Sequence, residues 1–234
     1  MFELVATDID GTLTDKELHL HPAVVASLQR LEAHGLPVTL ATANAMPVGW
    51  AIKTYTGASG PMIAENGGVV MFGDEIEVLG ERKLALEAFE DLKKHFPQVN
   101  ESFTNRFRSV GVSMRPTGQI EPLREFIDKH YPELSLTDSA YNYHLIEKRI
   151  SKGLALKGVA ERLKLDLGKV VALGDSDVDV SMFEVVGYSI AVGNASEAAK
   201  QHASKVTQAP FGEGFVEAVW DWILPEHLGH GGKR

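Results

Sequence analysis

Two aspartates separated by one residue follow an apolar segment near the start of the chain. The segment Leu4-Val5-Ala6-Thr7 is typical of a buried parallel strand, and Asp8, Asp10 and Gly11, which permits a sharp reversal, come directly after it. Ligands of open α/β sheets lie beyond the carboxyl ends of the strands, which is where these carboxylates are expected. Two such carboxylates repel each other unless a proton or a cation is present, and Mg²⁺ prefers oxygen ligands of this kind. The pattern therefore predicts a catalytic metal site, with a strand and an Asx-type turn as the structural alternative.

A second acidic cluster follows another apolar segment, at residues 169–173. Asp175 and Asp179 are four residues apart, so a helical turn that starts here would place them on one face, and Gly174 would let the backbone approach closely. Alone, this cluster is equally typical of a helix N-terminus, where Asp is a favoured cap. Together with the first cluster it predicts convergence on one cation. We interpret Asp175 as a metal ligand and Asp179 as a ligand or the neighbour of one.

Three further polar residues stand where a phosphate could be bound. Lys152 lies at the start of a helical pattern, where a lysine is poorly placed against the helix dipole unless it neutralises a negative group. Thr42 and Asn44 follow the second short apolar strand and offer a hydroxyl, an amide and backbone N–H groups for phosphate oxygens. A helix cap is the structural alternative for Thr42 and Asn44.

The order of the apolar segments predicts the fold that would position these residues. Strand-like and helix-like segments alternate over residues 1–82 and again over residues 151–234, which indicates a parallel sheet with right-handed crossovers. Residues 83–150 differ, with two helical segments and two β-like segments, 109–115 and 141–147, punctuated by prolines, and are predicted to form an α+β insert with its own core. We therefore predict an α/β fold, with a doubly wound parallel sheet as the catalytic core and an inserted cap domain.

The composition limits the classes of partner. Of the 234 residues, 44% are hydrophobic and 24% charged, as in ordinary globular proteins, and the formal net charge of -9 argues against nucleic acid or an anionic membrane. There is no cysteine, so disulfides and thiolate chemistry are excluded. No segment has the pattern of a signal peptide or of a membrane span. We expect a cytoplasmic protein that acts on a small molecule, and we leave a homodimer open.

The motifs resemble, in residue type and order, the four motifs of the haloacid dehalogenase-like phosphohydrolases. The matching residues are Asp8-Ile9-Asp10-Gly11-Thr12-Leu13, Thr42, Lys152 and Gly174-Asp175-Ser176-Asp177-Val178-Asp179. The insert resembles the α+β cap of the branch that holds Cof-type and sucrose-phosphate phosphatases, and within that branch the chain is most similar to archaeal phosphoglycolate phosphatases. One departure is Val178, where asparagine is usual. Valine cannot hydrogen-bond, so some support around the metal or Lys152 is missing.

The resemblance implies a phosphatase that works through an aspartyl-phosphate. Asp8 would attack phosphorus, and Asp10 would act first as general acid and then as general base. The resemblance also implies Mg²⁺ as cofactor, bound by Asp8, the backbone carbonyl of Asp10, Asp175 and, in or near the ligand set, Asp179.

The resemblance also implies residues that recognise a small phosphomonoester, with 2-phosphoglycolate as the expected substrate. Thr42, Asn44 and Lys152 would hold the phosphoryl oxygens. Arg106 in the insert is a candidate for a substrate carboxylate, because arginine pairs with carboxylates bidentately. Further candidates in the insert are Arg108, Tyr141 and His144.

Other functions fit parts of the same pattern. Within the superfamily, the alternatives are a sugar-phosphate phosphatase, a mannosyl-3-phosphoglycerate phosphatase or a phosphoryl-transferring mutase. A signalling receiver module also uses a phosphorylatable aspartate on a doubly wound sheet, but it needs no cap and lacks the Asp-x-Asp-Gly-Thr signature. Because of Val178, a degenerate phosphatase retained as a phosphate-ester-binding module is a further alternative.

Overall fold

Short apolar segments form the strands of two sheets in the computed structural model, which describes residues 1–139 and 141–229. The strands are β1 (Leu4–Asp8), β2 (Val38–Ala41), β3 (Met62–Ala64), β4 (Val69–Phe72), β5 (Glu75–Val78), β6 (Val112–Met114), β7 (Leu134–Asp138), β8 (Tyr143–Glu147), β9 (Val170–Gly174), β10 (Tyr188–Ala191) and β11 (Lys205–Val206). Over the described ranges, eight of them form one sheet in the spatial order β11-β10-β9-β1-β2-β3-β4-β5.

Helices connect these strands. They are α1 (Pro22–Ala33), α2 (Met46–Thr56), α3 (Lys83–His95), α4 (Glu121–His130), α5 (Lys152–Leu163), α6 (Val180–Phe183), α7 (Glu197–His202), α8 (Phe211–Glu217) and α9 (Leu224–His227). A π-helical segment, Ala218–Ile223, joins α8 to α9. In the part of the chain that the structure describes, no helix combines the length and apolar character that crossing a bilayer requires.

The first strand lies near the middle of the large sheet. β1 pairs in parallel with β2 on one side and with β9 on the other, and the register places Asp8 beside Ala41 and Thr7 beside Leu173. β3 continues the parallel arrangement, whereas β4 and β5 form a hairpin and run antiparallel at the edge. The carboxyl ends of β1, β2 and β9 therefore meet at one edge of the sheet, as the pattern of strand-ending polar residues predicts.

Both faces of the large sheet are covered, which explains why its central strands are continuously apolar. Leu28 of α1 and Phe215 of α8 belong to the hydrophobic core on one face. Leu156 of α5 and Met182 of α6 belong to the core on the other face. The predicted α/β fold with a doubly wound sheet is confirmed.

The insert contains an antiparallel sheet with its own core. Its spatial order is β6-β8-β7, and α3 and α4 pack on it through residues such as Phe89 and Leu123. Strand β7 is absent from the sequence prediction, although Leu134 and Leu136 alternate with half-buried polar residues as a period of two requires. The three strands fall between residues 83 and 150, whose status as domain boundaries stays a prediction.

Glu65, directly after β3, joins the large sheet to the insert. Its fully buried carboxylate accepts hydrogen bonds from the backbone N–H groups of Ser109, at 3.0 Å, and Val110, at 2.8 Å. The backbone φ angles of Glu65 and Asn66 are 52° and 56°, in the left-handed region that costs a non-glycine residue about 1–2 kcal/mol. Burial raises the pKa of the Glu65 carboxyl, which the two N–H donors oppose.

Candidate active site

Three buried carboxylates converge at the edge where the parallel strands end. One oxygen from each of Asp8, Asp175 and Asp179 lies within 4.8 Å of the other two. Asp8 is the last residue of β1 and Asp175 follows β9, so the pairing of these strands brings them together. Asp179 reaches the same point from the helical turn Asp177–Asp179. The structure thus places the predicted metal-ligating residues other than Asp10 in one cluster.

Lys152 lies inside this cluster. It is the first residue of α5 and is only 1% exposed, and the hydroxyl of Ser151 caps the helix by accepting from the N–H of Leu154. The Lys152 Nζ is 2.5 Å from Asp8 Oδ1 and 2.7 Å from Asp179 Oδ1. A lysine at the first position of a helix faces the positive end of the helix dipole, which is unfavourable. Here the two carboxylates stabilise it.

The cluster carries more negative than positive charge, because one ammonium group faces three carboxylates. Burial raises the pKa of Asp8 well above its ordinary value, which Lys152 opposes and the neighbouring carboxylates reinforce. Burial and the charge of Asp179 raise the pKa of Asp175 to about 7. Burial alone would lower the pKa of Lys152, but the charges of Asp179 and Asp8 outweigh the effect of burial and raise this pKa. The site is therefore built to receive a further positive charge.

One oxygen of Asp179 is fully occupied by hydrogen bonds. Its Oδ2 accepts from the backbone N–H groups of Asp175, at 3.1 Å, and Ser176, at 3.0 Å, and from the Ser176 hydroxyl at 2.8 Å. Its Oδ1 faces Lys152. These contacts make Asp179 a residue that positions Lys152 and the Asp175 loop. The close approach of this turn to the strand requires Gly174, because a Cβ there would lie 2.5 Å from the Asp179 Cβ.

Asp175 keeps one oxygen available. The Thr12 hydroxyl donates to its Oδ1 at 3.0 Å, and its Oδ2 lies against Gly11. Gly11 has a φ of 92°, and a Cβ there would lie 2.4 Å from Asp175 Oδ2, so both the backbone conformation and the space require glycine. The chain reversal that the sequence predicts at Gly11 also brings this carboxylate to the end of β1.

Asp10 lies beside the cluster and contacts the residues that follow β2. Asn44 Nδ2 donates to Asp10 Oδ2 at 2.8 Å, and the Asn44 backbone N–H donates to Thr42 Oγ1 at 2.9 Å. The hydroxyl hydrogen of the buried Thr42 remains to be donated, because its oxygen is the acceptor in that contact. Burial raises the pKa of Asp10, which the hydrogen bond from Asn44 and the charge of Lys152 oppose.

Arg106 lies away from these residues. Its guanidinium is stacked 4.5 Å from the centre of the Phe103 ring, and it lines a cavity of about 440 Å³ with Arg82, Glu101, Ser102, Phe103, Asn105 and Arg115. None of these is a residue of the acidic cluster. The structure therefore does not bring Arg106 to the carboxylates, whereas Arg108, two residues later, is buried against the backbone after β2.

The sequence analysis assigns no role in the site to two residues that contact it in the structure. Thr12 donates to Asp175, and Asn194 donates from Nδ2 to the Gly11 carbonyl at 3.0 Å while its Oδ1 accepts the Phe211 N–H at 2.5 Å. Asn194 follows β10, so the rule that polar residues after parallel strands face the ligand would have found it. Thr12 belongs to the first motif, but its partner Asp175 lies 163 positions away, so the sequence does not predict the contact.

The donor set fits a hard divalent cation. It consists of carboxylates, its charge is unbalanced, and Asp8 and Asp175 have raised pKa values that a cation would lower again. Val178, which replaces the usual asparagine, lines a cavity of about 150 Å³ beside Lys152. Asn66 lines the same cavity, and its buried Oδ1 has no hydrogen-bond partner among the described residues.

This arrangement of fold and site belongs to a known class of enzymes. Residues 5–109 and 112–219 match the family of haloacid dehalogenase-like hydrolases, and the chain belongs to that family. The protein is therefore a hydrolase, and the resemblance seen in the motifs is confirmed.

Several curated relatives cover nearly the whole chain. The phosphoglycolate phosphatase of Archaeoglobus fulgidus is 40% identical over 218 residues, which are 92% of this chain and 94% of that protein. The phosphoglycolate phosphatase of Methanothermobacter thermautotrophicus is 34% identical over 92% of this chain and 96% of its own length.

Solved structures agree in fold. A protein of Thermoplasma acidophilum has a TM-score of 0.87 at 25% identity and covers 98% of this chain and 99% of its own. A subclass IIB sugar phosphatase of the haloacid dehalogenase superfamily has a TM-score of 0.78 at 17% identity, with 97% of this chain and 99% of its own covered.

Proposed function

We propose that the protein is a Mg²⁺-dependent phosphatase that hydrolyses 2-phosphoglycolate to glycolate and phosphate through an aspartyl-phosphate. The observation that carries this proposal is the contact of Lys152 with Asp8 inside a buried, negatively charged cluster. Such a cluster holds a carboxylate in place for attack while a cation offsets its charge. The phosphoglycolate phosphatases among the relatives support the choice of substrate.

In the first step an Asp8 oxygen attacks phosphorus, and the bond from phosphorus to the ester oxygen of glycolate breaks. Asp10 donates a proton to that leaving oxygen, and its raised pKa favours the protonated form that this step needs. In the second step Asp10 takes a proton from water. The water oxygen attacks phosphorus, the bond to Asp8 breaks, and phosphate leaves.

Three side chains would hold the phosphoryl oxygens. Lys152 has three N–H donors and uses two on Asp8 and Asp179, which leaves one for phosphate. The hydroxyl of Thr42 is free to donate, and the Asn44 amide, which orients Asp10 through one N–H, has a second N–H for phosphate. Mg²⁺ would be held by Asp8, Asp175 and the Asp10 backbone carbonyl, with Asp179 beside them, and when bound would offset the charges of nucleophile and phosphate.

A sugar-phosphate phosphatase is the second candidate function. A neighbour of the same fold is a sugar phosphatase of subclass IIB. This candidate keeps Asp8, Asp10 and the metal ligands in their proposed roles and changes only what the insert recognises. A cytoplasmic location and a homodimer also stay predictions.

Phosphate release from a panel of phosphomonoesters tests the proposal. The panel contains 2-phosphoglycolate, several sugar phosphates and p-nitrophenyl phosphate, each measured with Mg²⁺ and with EDTA. We expect metal-dependent turnover with the highest kcat/KM for 2-phosphoglycolate. A higher kcat/KM for a sugar phosphate would favour the second candidate, and the absence of turnover on every ester would contradict both.

Mg²⁺ is expected to stabilise the protein more at about pH 8 than at about pH 5.5. In the metal-free protein, the pKa of Asp175 is raised from 3.8 to about 7. A carboxyl with a raised pKa contributes most to stability below its unfolded value, and this contribution is lost as the pH rises through the folded value. At about pH 8 the repulsion among the ionised carboxylates of the cluster is therefore greatest. Mg²⁺ at about 100 times its Kd would then add about 2.7 kcal/mol to the free energy of unfolding, or about 5–10 °C to Tm.

Thermal unfolding with and without Mg²⁺ at the two pH values measures this difference, with Asp175→Asn as the comparison. The substitution removes a proposed ligand, so its Tm should respond little to Mg²⁺ at either pH. A wild-type response of equal size at both pH values, or a full response in Asp175→Asn, would argue against the metal site.

A further inference from the structure

Arg108 is a buried cation that crosses from the insert to the large sheet. It follows the 3₁₀ turn Phe103–Phe107 and is 7% exposed, and its Nη2 donates to the carbonyl of Ala43 at 2.7 Å. Ala43 lies between Thr42 and Asn44, which we propose to hold the phosphoryl group and to orient Asp10. The guanidinium therefore contacts the backbone of the segment that carries both of these residues.

The guanidinium makes no direct ion pair among the described residues. Among residues 1–139 and 141–229, no carboxylate lies within 4.0 Å of it, and its buried Nε has no hydrogen-bond partner. Glu65 is the acidic group whose charge acts on it most, but both Glu65 oxygens accept backbone N–H groups. Burying an unpaired charge and an unsatisfied donor is costly, so such a group is expected to have a partner that binds.

His144 leaves this positive charge intact. Arg108 Nη2 is 3.4 Å from His144 Nδ1. Because a guanidinium can only donate, Nδ1 is the acceptor and the ring proton is on Nε2. Nε2 lies 3.0 Å from the Ser139 hydroxyl. Burial, followed by the charges of Arg108 and Lys152, lowers the pKa of His144 well below its ordinary value. The imidazole is neutral and orients the guanidinium.

The backbone around Arg108 is also held in place. Arg82 donates from Nη1 to the Arg108 carbonyl at 3.1 Å and from Nε to the Gly111 carbonyl at 3.1 Å. The carboxylate of Glu65 holds the next two residues from the other side. The buried guanidinium is thus fixed before any ligand binds, and its Nε–H is left to be paired.

We propose that Arg108 binds the carboxylate of the substrate and makes the site selective for short phosphorylated hydroxy acids over phosphomonoesters without a carboxylate. This inference rests on the proposed phosphatase function and deepens it. In 2-phosphoglycolate one methylene separates the carboxylate from the phosphate ester, so its cation must lie near the phosphoryl site, and Arg108 is bonded to the backbone between Thr42 and Asn44. Arg106, the arginine that the sequence favours, is exposed and stacked on Phe103.

Paired substrates separate this role from a general loss of activity. 2-Hydroxyethyl phosphate has the carbon skeleton of 2-phosphoglycolate with a hydroxymethyl group in place of the carboxylate. In Arg108→Met we expect kcat/KM for 2-phosphoglycolate to fall by about 100-fold, mainly through KM, because a charged hydrogen-bonded pair is lost. For 2-hydroxyethyl phosphate we expect a change of no more than about threefold, since that ester makes no ion pair with Arg108.

Two further variants complete the test. Arg108→Lys keeps the charge but loses the planar fork, so its selectivity should be intermediate, and it provides the measurement if Arg108→Met does not fold. Arg115→Met removes an exposed arginine from the insert and should leave the selectivity of the wild type unchanged.

Equal losses on both substrates in Arg108→Met, or a loss of selectivity in Arg106→Met instead, would overturn the role of Arg108 while leaving the phosphatase proposal intact. A wild-type protein that hydrolyses neither ester with Mg²⁺ would overturn the proposed function and this inference with it.

Discussion

Asp8→Asn should reduce phosphate release by about 10⁴-fold or more while the protein stays folded, because an amide cannot serve as the nucleophile. The substitution keeps the shape of the side chain and removes one negative charge from a cluster with an excess of negative charge. Lys152 retains its contact with Asp179. The measurement is kcat on the preferred ester, together with acid-quenched protein from a single turnover, in which the wild type alone should carry covalent phosphate.

Asp177→Asn is the matched control for Asp8→Asn. Asp177 is an exposed carboxylate of the same neighbourhood that accepts the Ser196 hydroxyl at 2.6 Å, and it lies outside the cluster of converging carboxylates. Its replacement should leave kcat close to that of the wild type. Turnover that survives in Asp8→Asn, or phosphate that is still trapped on that variant, would refute the assignment of Asp8 as nucleophile.

Lys152→Met should produce the largest loss of stability, about 3–5 kcal/mol, because it leaves buried carboxylates without their cation. The Lys152 pKa is raised in the folded protein. A raised lysine pKa contributes stability that is complete below the unfolded value and disappears only as the pH rises through the folded value, so the full contribution is present at neutral pH. Urea unfolding at neutral pH without metal measures the difference.

The same helix supplies a control for Lys152→Met. Lys157 is exposed on α5, and Lys157→Met removes the same charge from the same element. Its free energy of unfolding should change by no more than about 0.5 kcal/mol. The interpretation of Lys152 would be wrong if the two variants were equally stable. Partial recovery of Lys152→Met at acidic pH is expected, because protonation relieves the repulsion among the remaining carboxylates.

The sequence predicts those features of this site that are encoded locally. Asp8 and Asp175 each follow an apolar strand directly, so the rule for strand ends suffices to place them together. The fold class follows from the alternation of segments. By contrast, the role of Asp179 depends on which donors surround its two oxygens, and the sequence contains no record of that. Spacing predicts a ligand or the neighbour of one, and the structure adds that it accepts from Lys152 and from the loop that carries Asp175.

The choice between two arginines shows the same limit. Arg106 and Arg108 lie two residues apart in a polar segment, and neither periodicity nor composition distinguishes them. The 3₁₀ turn Phe103–Phe107 decides which one is buried, and it exposes two phenylalanines that hydrophobicity would place inside. Strand β7 was missed for a different reason, since its alternation is present but short and follows Pro132 closely.

The contacts of Glu65 bear on how the molecule folds. The turn after β3 has an unfavourable backbone conformation at Glu65 and Asn66. Hydrogen bonds from the backbone of Ser109 and Val110, in the insert, to the Glu65 carboxylate hold the turn in this conformation. The strain is tolerated only while those bonds exist. We therefore expect the conformation after β3 and the docking of the insert to depend on each other, and the insert and the large sheet to unfold together.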